Sequence, residues 1–487
     1  MRDEDQGHRP ANLPDDALCY MPATEALSRF RDRSLSPVEL MHAVIARAEA
    51  TEPRINAITY RHFDEAMDQA RKAEARYARG GRVRPLEGLP VAIKDESYIK
   101  GRPTSNGSLI LKDHVADHTS PVNERILRAG AIVHARTATP EFSCAGYCWS
   151  RLWGVTRNPW NPDFTPGGSS GGSGAVLAAG SAMLATGSDI GGSIRIPASI
   201  TGTVGYKPPY GRNPEEPPFN LDFYCHNGPM ARTVRDAILL QNVMAGPHPQ
   251  DIASLRPRLR LPMEMRPIKG WKIAFSMDLG LFEVDQEVRR NTLAALDVFR
   301  SLGAIVEEVD LNWPPDALEA GLTYLRHIFG AFLGQLLDDH AADLTDYARA
   351  FAEAGVKSKA TDFVRSLETA GRMYATLGPI LERYDLLICP TTALPAVPAS
   401  YNQCGGGVTI NGKDVDPMLG WVMTTPFNTL SRCPVLSVPS GRASSGVPTG
   451  IQLVGRTYCD ADVFRAGLAY EAAVGGWFGG AAARPAL

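Results

Sequence analysis

Two spacings of apolar residues alternate along the first part of the chain. Residues 24–79 carry apolar side chains three and four positions apart, which is the period of a helix that packs on one face. Short apolar runs at 89–93 and 130–135 contain β-branched residues and predict strands, with a helical stretch at 122–129 between them. This alternation predicts an α/β sheet with helices on its faces.

Ser36, Pro37 and Glu39 mark a helix start within the first stretch. Ser36 is a favoured N-cap residue, and proline fits the first helical turn. Glu39, three positions after the cap, completes the pattern of a capping box. We therefore expect a helix that begins at Pro37.

The second half of the chain is predicted to add helices and strands to one large domain. Residues 245–385 show long helical patterns and few glycines, so we interpret them as a more helical insertion. The single domain is expected to span residues 21–475, with a catalytic core at about 80–240 and 385–470. Strands in this half are predicted at 272–275, 304–309, 386–388, 435–438 and 450–454.

Both ends of the chain are predicted to lie outside the domain. Residues 1–20 are interpreted as a polar leader, because the first ten lack the apolar segment of a signal peptide. Residues 476–487 are interpreted as a flexible tail. The apolar run at 175–186 is broken by Gly180 and Ser181 and is too short to span a bilayer. We therefore expect a cytoplasmic protein with no membrane partner.

Charge and cysteine content exclude several classes of function. The chain has 487 residues, with 50 Lys and Arg against 53 Asp and Glu, and a formal net charge of −3. This balance argues against nucleic acid or an anionic membrane as the main partner. The eight cysteines are sparse, and Cys144 and Cys148 lack the second pair that a zinc site needs. We expect buried thiols and no metal.

Glycine is the most unusual feature of the composition, and part of the 46 glycines lies in residues 167–174 and 187–192. Glycine lets the backbone adopt positive φ and approach a ligand, so such segments can aim several N–H groups at one place. Neither G-x-x-x-x-G-K-[ST] nor G-x-G-x-x-G occurs there, which argues against phosphate and dinucleotide loops. A flexible linker is disfavoured because Leu177, Ile190 and Ile194 place core-type side chains among the glycines.

Residues 167–171 also match the nucleophile elbow G-x-S-x-G of α/β-hydrolases. Such an enzyme needs an acid and a histidine further along the chain. The sequence pattern alone leaves this interpretation open. The histidines available for it are His226, His248, His327 and His340.

The same glycine-rich region resembles the amidase signature family. The strings GGSSGGSGAVLAAG, GSDIGGSIRIPA and VGYKPPYGR stand where that family has its signature. The resemblance covers about residues 22–475 and is weakest at 245–385. It implies an α/β amidase signature fold, with a large mixed central β-sheet flanked by helices on both faces. Further matching segments are 88–95, 228–234, 385–391 and 448–455.

The resemblance implies a catalytic triad of Lys94, Ser169 and Ser193. Ser193 would be the nucleophile, Ser169 a bridging serine on an unusual cis peptide, and Lys94 the base. A serine hydroxyl needs a base to take its proton, and a lysine can do so only as the neutral amine, which burial favours. From the residues alone, a surface lysine at a strand end, paired with Asp95, is the preferred interpretation of Lys94.

Residues around the triad receive roles from the same resemblance. Ser170 is expected to orient the bridging serine. Asp189 and Arg195 are expected to fix the loop, either as a structural ion pair or with a direct catalytic role. The backbone N–H groups expected to form an oxyanion hole belong to Ile190, Gly191, Gly192 and Ser193.

The predicted reaction is hydrolysis of a C–N acyl bond through an acyl-enzyme, without metal or cofactor. The expected partner is a small-molecule amide or carbamate, and the protein is expected to be a monomer or homodimer. Ser143, Cys144 and Gly168 are expected to line the substrate site. Aromatic residues that either line an apolar or aryl-accepting pocket or pack in the core are Phe142, Tyr147, Trp149, Trp153, Phe219, Phe223 and Tyr224.

Three other functions compete with this prediction. One is the A subunit of a glutamyl-tRNA amidotransferase, which is disfavoured because residues 213–218 depart from the serine- and glycine-rich stretch usual there. A carbamate or ester hydrolase of the same family stays open. A non-catalytic binding module is disfavoured because all three catalytic side chains are present.

Overall fold

An 11-stranded mixed β-sheet forms the centre of the chain in the computed structural model, which describes residues 16–479 and 483–487. The strands are β1 (Ile58–Arg61), β2 (Pro90–Lys94), β3 (Ile132–Thr137), β4 (Trp149–Ser150), β5 (Gly154–Val155), β6 (Leu184–Ser188), β7 (Val204–Lys207), β8 (Asn227–Ala231), β9 (Lys272–Phe275), β10 (Ile305–Glu308), β11 (Leu386–Pro390), β12 (Val408–Ile410), β13 (Lys413–Val415), β14 (Val435–Arg442) and β15 (Pro448–Val454). The large sheet has the order β1-β3-β2-β6-β8-β7-β14-β15-β11-β9-β10, and β4-β5 and β12-β13 form two small hairpins.

Helices connect most of these strands. They are α1 (Asp16–Cys19), α2 (Ala23–Asp32), α3 (Pro37–Ile55), α4 (Phe63–Arg79), α5 (Pro121–Arg128), α6 (Gly171–Ala179), α7 (Arg195–Thr201), α8 (Val234–Met244), α9 (Gln286–Ser301), α10 (Ala317–Leu325), α11 (Ala331–Gly334), α12 (Leu337–His340), α13 (Asp346–Val356), α14 (Ala360–Arg383), α15 (Pro426–Thr429) and α16 (Asp460–Val474). The predicted helix start at Pro37 is confirmed, and Ser36 and Glu39 form the capping box.

Alternate side chains of the strands enter opposite faces of the sheet. In β2, Val91 and Ile93 join the core cluster that contains residues of α8 and α16, whereas Ala92 packs with residues of α6. Both faces of the sheet are covered at β2, where all five residues are buried. The predicted α/β fold, with a large mixed sheet and helices on both faces, is confirmed.

Residues 245–385, predicted as a helical insertion, contribute to the sheet as well. β9 and β10 lie at one edge of it, with β9 parallel to both β10 and β11. The remaining helices of this segment, from α9 to α14, follow these strands along the chain. None of the helices within residues 16–479 combines the length and the apolar character that a bilayer-spanning segment needs.

Packed structure includes parts of both predicted terminal segments. Residues 1–15 lie outside the described residues, but α1 precedes residue 20, and Cys19 and Tyr20 are buried. At the other end, Phe478 stacks on Tyr20 with ring centroids 5.9 Å apart, and residues 480–482 again lie outside the description. The packed region therefore extends beyond the boundaries predicted at residues 20 and 475, because apolar rings from the two ends cover each other.

Two parallel neighbouring strands, β2 and β6, end at the same edge of the sheet. Lys94 is the last residue of β2, and Ser188 is the last residue of β6. Ligands in open α/β sheets bind at the carboxyl ends of parallel strands. This edge is therefore where the fold gathers the polar side chains considered next.

Candidate active site

Lys94 stands at the centre of a buried hydrogen-bonding group. Its side chain is 1% exposed, because the whole of β2 is buried. Its Nζ lies 2.7 Å from Ser169 Oγ, 2.8 Å from Ser188 Oγ and 2.8 Å from Glu96 Oε2. A lysine amine has three positions for hydrogen bonds, and the structure supplies a partner for each.

Asp95 does not pair with Lys94, so the surface-lysine interpretation is wrong. The Asp95 carboxylate accepts hydrogen bonds from the hydroxyl and the backbone N–H of Ser105, at 2.6 and 3.1 Å, and lies 3.7 Å from Arg136. Successive residues of a strand point to opposite faces, which separates Asp95 from its neighbour. Burial raises the pKa of Asp95 to about 6, against the opposing effect of Arg136.

Glu96 is the acidic partner of Lys94, and the sequence analysis missed it. Its side chain is 15% exposed, and Oε2 also accepts a 2.7 Å hydrogen bond from Ser143 Oγ. Burial alone would raise the pKa of this carboxyl, but the Lys94 ammonium and the hydrogen bonds hold the pKa below its usual range. The available signal was an acidic residue just past the end of a buried strand.

Ser169 and Ser170 are held at the start of α6. The peptide between Gly168 and Ser169 is cis, and both serines are fully buried. The Ser170 N–H donates to the Ser193 carbonyl at 3.1 Å, and the Ser170 hydroxyl donates to the Ser188 carbonyl at 3.3 Å. Ser170 therefore ties the segment that carries Ser169 to the one that carries Ser193.

Gly168 packs closely against backbone beside Ser169. A Cβ at this position would clash with the carbonyl oxygens of Tyr147 and Ala145. Glycine is required there for close backbone approach. Its predicted contact with substrate stays a prediction.

The loop before α7 presents unused backbone donors. Within residues 16–479, the N–H groups of the four residues predicted to form an oxyanion hole make no hydrogen bond. The carbonyl of Gly191 is held from the other side, by Thr424 Oγ1 at 2.8 Å and Thr425 Oγ1 at 3.1 Å. The loop can therefore offer these N–H groups to an oxyanion. They belong to Ile190, Gly191, Gly192 and Ser193.

Asp189 and Arg195 form a fully buried ion pair beneath this loop. Arg195 contacts the Asp189 carboxylate through Nε at 2.9 Å and through a terminal nitrogen at 2.8 Å. Asn428 Nδ2 donates to the same carboxylate at 2.8 Å. Burial alone would raise the pKa of Asp189, but Arg195 and Asn428 hold it well below its usual range. The ion pair therefore supports the loop from below.

Ser193 lies at the wall of a small pocket of about 60 Å³, and a larger cavity of about 450 Å³ adjoins Ser169 and Ser188. Ser193 is 6% exposed, and its hydroxyl makes no hydrogen bond to the described part of the chain. Ser143 lines both spaces, and Cys144 lines the small one. Both therefore lie beside the space that Ser193 lines, and the Ser143 hydroxyl points to Glu96.

The predicted aromatic residues divide between the cavity and ring-to-ring packing elsewhere. Phe142 and Phe219 line the larger cavity. The others pack with neighbouring rings, as Tyr224 does on Tyr324 with centroids 3.7 Å apart. The remaining packed rings are Tyr147, Trp149, Trp153 and Phe223.

The charged residues that line the larger cavity are all acidic. They are Glu96, Glu215 and Glu216. Burial raises the pKa of Glu215 to about 8, and Asn227 donates a hydrogen bond to its carboxyl group. None of the described side chains that line this cavity is a lysine or arginine that could bind an anionic group of a ligand. Residues 213–218, which in the sequence are only a departure from the family pattern, thus supply part of the cavity.

Similarity to known proteins agrees with this geometry. A family model described as Amidase matches residues 39–464. The acylamidase of Rhodococcus erythropolis is 32% identical over 462 residues, which cover 93% of this chain and 96% of that protein. The A subunit of the glutamyl-tRNA(Gln) amidotransferase of Methylacidiphilum infernorum (isolate V4) is 30% identical over 479 residues, which cover 91% and 92%.

Among solved structures, a bacterial aryl acylamidase of the amidase signature enzymes family superposes with a TM-score of 0.86. It is 32% identical, and the match covers 93% of this chain and 96% of that one. The loop, sheet edge and buried lysine described above therefore lie in a fold that is shared along almost the full length of both chains.

Proposed function

The chain belongs to the amidase signature family and is an amide-hydrolysing enzyme, and we propose that Ser193 is its acylated nucleophile, with Ser169 and Lys94 as the proton relay. The observation that carries this proposal is the buried 2.7 Å hydrogen bond between Lys94 Nζ and Ser169 Oγ. A base held this way, out of water and next to a hydroxyl, is the arrangement that serine activation requires.

Lys94 can keep all three partners when it is the neutral amine that the reaction needs. A neutral amine keeps two N–H groups, which can donate to Ser188 Oγ and Glu96 Oε2. Its lone pair is then left for the Ser169 hydroxyl at 2.7 Å. Ser169 passes its proton to Lys94 as it takes the proton of Ser193, because a hydroxyl both donates and accepts.

The attack forms a bond between Ser193 Oγ and the carbonyl carbon of the substrate. The carbonyl oxygen becomes an oxyanion, which the free N–H groups of residues 190–193 receive. One donor of this kind typically lowers the barrier by about 3 kcal/mol. The loop that presents them is fixed by Thr424 and by the Asp189–Arg195 pair.

Collapse of the intermediate breaks the C–N bond. Ser169 donates a proton to the departing nitrogen and recovers one from Lys94, so the amine leaves neutral. Water then attacks the acyl group on Ser193, and the same relay takes its proton. The products are the carboxylic acid and the amine, and the enzyme returns to its starting state.

Ser193→Ala tests this assignment. We expect the variant to lose at least about 10³-fold in kcat on p-nitroanilide amides, because the covalent step is gone. Wild-type enzyme mixed with substrate and quenched early should carry an acyl group on Ser193 by mass spectrometry. Near wild-type turnover of Ser193→Ala would overturn the proposal.

Ser199→Ala is the matched control. Ser199 is buried in α7, six positions from Ser193, and its hydroxyl has no partner among the described residues. Loss of an unsatisfied buried hydroxyl costs little or stabilises. We expect activity and the melting temperature of this variant to stay close to wild type.

A role as the A subunit of a glutamyl-tRNA amidotransferase is the competing candidate, and the 30% identity to such a protein favours it. The lining of the larger cavity weighs against it, because among the described residues it includes no lysine or arginine side chain to bind the α-carboxylate of glutamine. A glutaminase assay on the purified chain separates the two candidates. Strong glutaminase activity that requires a partner protein would favour the amidotransferase role.

A further inference from the structure

Two unequal spaces meet at the catalytic serines. The larger, of about 450 Å³, is lined by Ser169 and Ser188, and the smaller, of about 60 Å³, by Gly191 and Ser193. Ile190 belongs to the walls of both. An amide bound across this boundary must place its acyl side in one space and its amine side in the other.

The chemistry of the two serines decides which side enters which space. The acyl group stays bonded to Ser193, so its substituent must lie where Ser193 and the loop donors open. The nitrogen receives its proton from Ser169, so the amine must lie on the side that Ser169 lines. This step rests on the roles proposed above for Ser193 and Ser169.

We propose that the small pocket beside Ser193 holds the acyl substituent and that the larger cavity beside Ser169 holds the amine. The enzyme is then selective for short-chain acyl amides of bulky, apolar amines. The enzyme then accepts leaving amines of different sizes but discriminates among acyl chains by their length.

The two walls support this division by size and by chemistry. A space of about 450 Å³ lies within the range of pockets that bind whole small molecules, whereas about 60 Å³ holds only a few heavy atoms. The larger cavity is lined by aromatic rings, which favour an aryl amine. These rings are Tyr98, Phe142, Phe219 and Phe332, and Phe329 lines both spaces. Apolar residues that line the small pocket include Leu325, Phe351, Met418, Leu419 and Val422.

Two substrate series test the proposal. In the first, p-nitroanilides carry acetyl, butyryl, hexanoyl and octanoyl groups. In the second, the acetyl group is fixed and the amine grows from ammonia to aniline to 2-naphthylamine. In the first series we expect kcat/KM to fall at least about 10-fold from butyryl to octanoyl, because each methylene that the small pocket excludes weakens binding several-fold. In the second series we expect kcat/KM to rise at least about 10-fold from acetamide to the naphthylamide, because each ring edge that the larger cavity accepts strengthens binding several-fold.

Substitutions in the walls of the two spaces show which of them sets the acyl-length preference. Met418→Ala should raise the octanoyl-to-acetyl ratio of kcat/KM at least about 5-fold, because it lengthens the small pocket, and the side chain is only partly buried. Leu419→Ala is the second variant of that wall. Phe332→Ala is the matched control in the larger cavity, and it should weaken naphthylamide hydrolysis without changing the acyl preference.

The outcomes separate this inference from the proposed function. Absence of hydrolysis of every amide would count against the proposed function. Hydrolysis that improves with acyl length, or a shift of acyl preference in Phe332→Ala and not in Met418→Ala or Leu419→Ala, would overturn the division of sides while leaving the chemistry intact. The expected pattern in both series supports the division.

Discussion

Glu96 Oε2 lies 2.8 Å from Lys94 Nζ, so a carboxylate contacts the proposed base directly. Glu96→Gln keeps an oxygen that can accept from Lys94 Nζ but removes the carboxylate charge. We expect kcat/KM to fall by about 5-fold, because a hydrogen bond between two charged groups is stronger than one to a neutral amide. Steady-state kinetics at a fixed pH would measure this loss.

Ser188→Ala is the control for Glu96→Gln. It removes a second partner of Lys94, at 2.8 Å, but no charge. It should lower kcat/KM by a smaller factor than Glu96→Gln does. A loss in Ser188→Ala as large as that in Glu96→Gln would show that the carboxylate charge adds nothing to the contact with Lys94.

Gly192 and Gly191 offer a test of the loop that presents the N–H groups. Gly192 has φ of 131°, and a Cβ there would clash with the Thr424 side chain. We expect Gly192→Ala to lower kcat by about 10²-fold or more, because the donors move away from the oxyanion.

Gly191→Ala keeps the same number of donors and makes only ordinary contacts, at 3.8 Å from Leu325 and 3.9 Å from Thr425. It should keep kcat within a few-fold of wild type. Equal losses in the two variants would argue against a specific role for the geometry at Gly192.

Asp189 and Arg195 should matter for stability as well as for activity. Asp189→Asn removes the charge that balances the buried Arg195, and breaking a buried pair in this way costs about 3–5 kcal/mol. For 487 residues this corresponds to a fall in Tm of about 3–5 °C. Calorimetry would measure it, and an unchanged Tm would show that the pair does not stabilise the fold.

The roles of Lys94, Ser169 and Ser193 stay predictions, and they rest on contiguous strings that resemble the family. Glu96 could not be found in this way, since its contact with Lys94 depends on how the chain turns after β2. The contact of Thr424 with the Gly191 carbonyl is still harder to predict from the sequence, because 233 positions separate the two residues. Only the folded chain brings these donors and acceptors together.

For the strands, too, the sequence predicted the local structure but not the long-range contacts. The runs at 272–275 and 304–309 correctly predicted β9 and β10, because short apolar segments with β-branched residues carry a local signal. Their place at the edge of the main sheet was not predictable, because strand order depends on packing between distant segments. For that reason a segment interpreted as an insertion also completes the sheet.

Glu471 gives a prediction about the pH dependence of stability. Burial raises the pKa of this carboxyl to about 8, and Oε1 accepts a 3.0 Å hydrogen bond from the Val234 N–H. Its ordinary pKa is lower, so the folded chain retains a proton that the unfolded chain has lost between about pH 5 and 8. The contribution of Glu471 to the free energy of unfolding therefore falls as the pH rises through this range.

Glu471→Gln removes this penalty and keeps an oxygen that can accept from Val234. We expect its Tm to exceed that of wild type by about 2 °C at pH 8 and to match it near pH 5, since about 1 kcal/mol shifts the Tm of a chain this long by about 1 °C. Glu368→Gln, at an exposed position of α14, should change Tm at neither pH. An equal Tm gain for Glu471→Gln at both pH values would contradict the prediction, because a titrating carboxyl must give a pH-dependent difference.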